Sequence, residues 1–254
     1  MNAPPTHDLL ERFSAIRRQI HARPELKFEE FETAELVAKE LQAMGVDEVH
    51  TGIGGTGLVG VIHGSQPLVS AAACKAVGLR ADMDALPMTE KNSFTHASQH
   101  AGKMHACGHD GHTAMLLAGA QLLVNDRSFA GTVHLIFQPA EEGGGGAKAM
   151  IDDGLFERFD CNQVFAIHNW PGLAEGSFGL NPGPMMASSN QFEILVKGKG
   201  AHAAMPHLGV DPVLVASHLI QAFQTLVSRT SKPVDAVVVS VTQVQAGEAV
   251  NVIP

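Results

Sequence analysis

The stretch TVHLIFQPAEEGGGG, residues 132–146, decides how this chain is built. Residues 132–137 are a short run of branched and aromatic side chains, the composition of a buried strand. The run delivers two adjacent carboxylates, Glu141 and Glu142, into four consecutive glycines. Neighbouring side chains of extended backbone point to opposite sides. The spacing therefore predicts that one glutamate faces a bound cation and the other a reacting water, as a general base must. An exposed acidic turn has the same residue types; the preceding buried strand separates this pair from one.

Similar apolar runs occur at 57–62, 77–81 and 164–167. Amphipathic helices are expected around them. Residues 7–20 place Leu9, Phe13, Ile16 and Ile20 at helical spacing, with a stop before Pro24. Residues 31–44 carry the stripe Phe31, Ala34, Val37, Leu41 and Met44 and end at Gly45. A third helix is expected over 113–124. Strands alternating with helices predict an α/β fold with a mostly parallel sheet covered on both faces. Ligands of such sheets gather beyond the carboxyl ends of the strands. Asp82 and Asp84, Glu141 and Glu142, and His168 all come directly after such runs.

A break in composition at 181–189 (NPGPMMASS) suggests a linker. The pattern restarts beyond it as a strand at 191–196, a helix at 212–228 and a strand at 235–244. The expected division is thus 1–184 and 185–254. A single βαβ unit has too little sheet to close a core, so the second domain reads as incomplete.

Composition narrows the function classes. The net charge of −9, without a block of Lys and Arg, argues against nucleic acid or an anionic membrane as partner. Cys74, Cys107 and Cys161 include no CxxC pair and do not resemble a disulfide framework. The N-terminus carries charge where a leader needs an apolar core, and no window approaches the length of a membrane span. A cytoplasmic protein is expected. Fourteen histidines beside a single Trp and no Tyr suggest metal or proton-transfer chemistry.

The densest local signal is MHACGHDGHT, residues 104–113, which packs His105, Cys107, His109, Asp110 and His112 ahead of a helix. Thiolate and imidazole are preferred ligands of borderline divalent ions. Cys107 and His109 are spaced so that a turning loop can wrap both around one ion. A buried cysteine beside polar helix caps is the structural alternative. A nucleophilic Cys107 activated by His105 or His109 is the rival chemistry. The zinc deaminase arrangement of HxE and PCxxC is absent. His168, in VFAIHNWPG, can join the cluster from the end of a third strand. Asp82 and Asp84 can orient a histidine ligand or cap a turn. His202, in KGKGAHAAMPHLGVDP, and Asn251, in the terminal NVIP, are not specific by spacing.

These segments together resemble the metal-dependent amidohydrolases that include hippurate hydrolase, the auxin-conjugate hydrolases and N-acetyl-diaminopimelate deacetylase. The resemblance runs through HARPEL (21–26), GIGGTG (52–57), GLRADMDALPM (78–88), MHACGHDGH, FQPAEEGGGGA, HNWPG, GPMMAS (183–188), GAHAAMPH (200–207) and NVIP. It implies hydrolysis of N-acyl amino acids to a carboxylic acid and an amino acid, using two divalent ions (manganese, zinc, nickel or cobalt). Cys107, His109, Glu142 and His168 match the metal ligands, and Glu141 matches the general base. His202 and Asn251 match substrate contacts from a ferredoxin-like lid that also dimerises. Members of that family continue past the segment matching NVIP, complete the lid and supply a last histidine ligand. The resemblance therefore also implies a fragment or truncated product, which would bind metal or dimerise with impaired catalysis.

Overall fold

A computed structural model describes residues 7–69 and 75–254. Cys74 and the first six residues, on which the cysteine and leader readings drew, lie outside them. The chain forms two compact units, Met1–Gly172 and Leu173–Pro254. The composition break at 181–189 lies inside the second.

The first unit is built on a five-stranded sheet of order β1-β2-β4-β3-β5. Its strands are β1 (Glu48–Ile53), β2 (Gly57–His63), β3 (Ala76–Asp82), β4 (Thr132–Gln138) and β5 (Gln163–Ala166). Strand β3 runs parallel to both β4 and β5. Strand β2 is antiparallel to both β1 and β4, which makes the sheet mixed. The strands expected in this unit are all present. Strand β1 was not expected, because its polar, half-exposed sequence EVHTGI contains no apolar run to betray it.

Helices α1 (His7–Ala22), α2 (Phe31–Met44) and α3 (His109–Asn125) share a core with one face of the sheet. Phe13, Ile16 and Ile20 of α1, Val37 and Leu41 of α2 and Leu117 of α3 meet Leu58 and Ile62 of β2 and Leu135 and Phe137 of β4. The alternate residues Val59, Val61 and Ile136 point to the other face. There they meet Met150 of α4 (Gly146–Asp152) and Leu155 of α5 (Leu155–Arg158). The period-2 alternation of two buried strands thus fills two cores. Truncating a fully buried residue such as Leu41 to Ala should cost roughly 2–5 kcal/mol.

Each of the first two helices stops for a visible reason. Helix α1 ends at Ala22, ahead of Pro24, and α2 ends at Gly45 in the left-handed conformation (φ 81°).

The second unit contains α6 (Pro212–Thr225), capped by Asp211, whose carboxylate accepts the N–H groups of Val213 and Leu214. It also holds an antiparallel pair of two-residue strands, β6 (Ala201–His202) and β7 (Val252–Ile253). The strands expected at 191–196 and 235–244 do not form: neither segment is paired in a ladder, and a strand exists only where a partner satisfies its backbone groups. None of the α6 residues is buried.

Candidate metal centre

Three parallel strands end at one place, and the residues just beyond them converge. Asp84 lies just past β3, the Glu141–Glu142 turn comes after β4, and His168 comes after β5. The loop into α3 and that helix's first turn contribute Cys107, His109 and His112.

His109 is at the centre and is 1% exposed. Its Nδ1 lies 3.2 Å from Oδ1 of Asp84, an acceptor-only group when ionised, so Nδ1 carries a proton. Its Nε2 is buried and has no hydrogen-bond partner among the described residues. That nitrogen instead faces Glu142 Oε1 at 3.9 Å, Glu141 Oε2 at 4.0 Å and Asp82 Oδ2 at 3.6 Å. Burial works against charging this imidazole, but the Asp84 hydrogen bond and the Asp82 charge outweigh it and raise its pKa. An orphaned, buried nitrogen surrounded by carboxylates, with the other ring nitrogen bound to a carboxylate, is the setting of a metal-ligating histidine.

Cys107 Sγ lies 3.4 Å from His168 Nε2. Cys107, His109 and His168 each bring a ligand atom within 4.8 Å of the others, as do His109, Glu141 and Glu142. The two sets share His109. Burial and the negative charge of Glu142 push the Cys107 thiol up to about 12. A thiolate therefore needs a cation beside it here. A raised thiol opposes a ready cysteine nucleophile, and the groups beside Sγ are His168 and Glu142, not the His105 or His109 expected to activate it. Burial, with Glu141 alongside, likewise raises Glu142.

A third set, Asp82, His109 and His112, also lies within ligand range. His112 is not free to bind: its Nε2 accepts the N–H of Asn169 at 2.9 Å, and its Nδ1 meets Asp82 Oδ1 at 2.6 Å. Asp82 also accepts from Arg80 at 2.8 Å. Although burial opposes it, the His112 hydrogen bond and the Arg80 charge hold Asp82 at about 2. This pair braces α3 against the end of β3.

The turn carrying the two glutamates is not extended, contrary to the opposed orientation expected from extended backbone. Residues 141–144 form a turn, and Ala140 before them adopts φ 50°. A left-handed alanine costs about 1–2 kcal/mol, and it redirects both carboxylates to one side. Glu142 N–H donates to Asp84 Oδ2 at 2.9 Å. The glycines make the reversal possible. Gly145 adopts φ 70° ahead of α4, and a Cβ on Gly146 would stand 1.7 Å from the Pro139 carbonyl oxygen.

Asn169 was not singled out from sequence. Its side chain donates to Gly108 O at 2.9 Å. A Cβ on Gly108, or one on Gly111, would crowd its Nδ2, at 2.4 and 3.0 Å. The glycines of CGHDG thus admit Asn169, which holds the neighbouring His168 against Cys107. The GxxG spacing inside that motif was the available signal.

His202 and Asn251 belong to the second unit, where they are brought to each other. His202 pairs with Val252, Ala203 N–H donates to Asn251 O at 3.0 Å, and His202 Nδ1 accepts the Ala204 N–H at 3.1 Å.

The model of Peptidase family M20/M25/M40 matches residues 78–253. The chain is 49% identical over 251 residues to hippurate hydrolase of Campylobacter jejuni, covering 99% of this chain and 63% of that protein. It is 46% identical to the IAA-amino acid hydrolase ILR1-like 4 of Arabidopsis thaliana, with coverage of 98% and 54%. It is 45% identical to N-acetyl-L-cysteine deacetylase of Bacillus subtilis, with coverage of 94% and 56%. The chain thus spans between about half and two thirds of the length of these relatives. Among solved structures, it is similar to the Bacillus subtilis YXEP protein, a dinuclear metal binding peptidase from the M20 family. That match has TM-score 0.69 and 33% identity, and covers 98% of this chain and 62% of that one. No helix of the described residues is long and apolar enough to cross a membrane.

Proposed function

The chain belongs to peptidase family M20/M25/M40, and from that premise we propose that it is a metallo-amidohydrolase of N-acyl amino acids, a hippurate-like amide being the first substrate to try. The observation that carries the reading is the orphaned Nε2 of His109, aimed between Glu141 and Glu142 beside the Cys107–His168 pair.

In this reading Cys107, His109, Glu142 and His168 hold two divalent ions, of manganese, zinc, nickel or cobalt. Ions bound there supply positive charge that polarises the acyl carbonyl and acidifies the attacking water. Glu141, the more exposed of the two glutamates, is the general base. Its carboxylate takes the proton from the water as the C–O bond forms and returns it to the nitrogen as the C–N bond breaks. Asp84 fixes the His109 tautomer, so that Nε2 presents its lone pair. His202 donates to the developing oxyanion, a contribution typically worth about 3 kcal/mol, and Asn251 contacts the substrate. Both act from residues 185–254, which we assign to a lid domain of ferredoxin-like type that also mediates a homodimer. The net charge of −9 and the scarcity of cysteine favour a cytoplasmic setting without nucleic acid or membrane as partner.

The test is release of glycine from N-benzoylglycine, and of free amino acids from an N-acetyl panel, by protein loaded with manganese or zinc. The reading expects turnover that chelation abolishes and that metal restores. Turnover indifferent to chelation overturns it.

A further inference from the structure

We propose that Glu30 is a positioning residue that sets the aim of Glu141 and Glu142 through a hydrogen bond to the backbone of Ala140. The inference rests on the metal-centre reading above and extends it to a side chain that touches neither the ligands nor the reacting atoms.

Glu30 stands immediately before α2 and is 0% exposed. Among the described residues no Lys, Arg or His hydrogen-bonds to it. One oxygen accepts the N–H of Ala140 at 2.8 Å, and the other accepts the hydroxyl of Thr56, the last residue before β2. A buried carboxylate without a cation is costly to keep, and of the backbone groups it holds, which include Phe28 and its own, Ala140 is the one distant in the chain. Ala140 is the fully buried alanine at φ 50° from which the chain turns into the two glutamates. The carbonyl of Ala140 is held as well, by the Gly146 N–H at 3.0 Å. Both polar groups of the strained residue are therefore clamped, one across the turn and the other by a side chain 110 positions away. Asp84 fixes Glu142 directly by its N–H. Glu30 fixes the Pro139–Ala140 peptide, immediately ahead of the turn that carries Glu141 and Glu142.

A nearby acid provides the contrast. Glu25 is also buried, and its carboxylate accepts the N–H groups of Glu32 and Thr33 and the Thr33 hydroxyl. It secures the start of α2 and makes no hydrogen bond to the glutamate turn. If burial of an acid near α2 matters only for stability, loss of Glu25 and loss of Glu30 should act alike.

The experiment titrates the full chain with cobalt(II) against a competing chelator, and measures thermal stability alongside. Glu30→Ala should weaken cobalt binding about tenfold, the low end of what loss of a ligand-orienting group costs. The Cys107-to-cobalt charge-transfer band should persist, because Cys107 lies on another loop. Glu30→Gln, whose amide oxygen can still accept the Ala140 N–H, should remain within about twofold of wild type. Glu25→Ala should lower stability and leave cobalt affinity unchanged. Should Glu30→Ala not fold, Glu30→Asp, too short to keep the bond, carries the same tenfold expectation. Wild-type affinity in Glu30→Ala or Glu30→Asp overturns the proposal, as does an equal loss in Glu25→Ala. Glu142→Ala separates the metal-centre reading from the Glu30 assignment. If it binds cobalt like wild type, the metal-centre reading falls and this inference falls with it. If it weakens binding while the Glu30 variants do not, only the Glu30 assignment is overturned.

Discussion

Oδ1 of Asp84 lies 3.2 Å from His109 Nδ1, and the imidazole so anchored turns its other nitrogen, Nε2, toward Glu141 and Glu142. The second oxygen of the same carboxylate accepts the N–H of Glu142. A single buried acid thus sets the direction of two candidate ligands that reach the site from different elements. Burial works against its charge, yet the hydrogen bonds from His109 and from the glutamate turn keep its pKa below the ordinary value.

Replacing Asp84 should therefore disturb both ligands at once. Asp84→Ala is expected to weaken zinc or manganese binding by about 10–100-fold, measured by competition with a chelator. An affinity within twofold of wild type would show that His109 and Glu142 hold their positions without it.

Glu141 and Glu142 should separate by role. Glu141→Gln is expected to keep its metal content and lose turnover of an N-acyl amino acid by roughly 10²–10⁴-fold. Glu142→Gln should lose metal as well. Metal analysis and amino-acid release on the same samples distinguish the two, and equal metal loss in both variants would remove the base assignment.

Two glycines should respond to alanine with opposite signs. A Cβ on Gly146 would meet the Pro139 carbonyl oxygen at 1.7 Å, whereas one on Gly119, inside α3, meets nothing within 4 Å. Gly146→Ala should destabilise by about 3 kcal/mol, and Gly119→Ala should stabilise by about 0.5–1 kcal/mol. Denaturant midpoints decide both.

Stability should depend on pH through Asp110 and His21, which meet at 3.0 Å, with Arg17 at 3.1 Å on the same carboxylate oxygen. Burial opposes the Asp110 charge, but the His21 hydrogen bond and neighbouring cations bring its pKa down from 3.8 to about 2. Its stabilisation is complete above pH 3.8 and is lost as pH falls toward 2. The Asp110 hydrogen bond, outweighing burial, raises His21 above 6.5. That contribution is complete below 6.5 and is lost as pH rises through the raised value. The gap between wild type and Asp110→Asn should be widest between about pH 4 and 6.5 and shrink on both sides. Its acid limb should amount to roughly 2 kcal/mol. A gap that is constant from pH 2 to 8 would contradict the assignment.

Much of this arrangement was legible in the sequence because it is local. The apolar runs announced β2 to β5, and Gly45 announced the end of α2. The motif MHACGHDGHT and the Glu141–Glu142 pair announced side chains that the fold brings within ligand range of one another. What escaped was set by partners distant in the chain. Strand β1 is polar and becomes a strand by pairing with β2. The direction of the glutamates depends on Ala140 and on Glu30, 110 positions away. Asn169 matters because Gly108, just before α3, and Gly111, in its first turn, leave room for it. In the second unit, the apolar pattern at 191–196 and 235–244 suggested strands, but pattern supplies only one side of a ladder.

Anomalous diffraction from crystals of the chain grown with zinc or manganese tests the central claim most directly. The account predicts ions within about 2.0–2.4 Å of Cys107 Sγ, His109 Nε2, His168 Nε2 and a Glu142 oxygen, with Glu141 beside them and not displaced outward. Ions bound elsewhere, or a His109 Nε2 left without one at saturating metal, would contradict it.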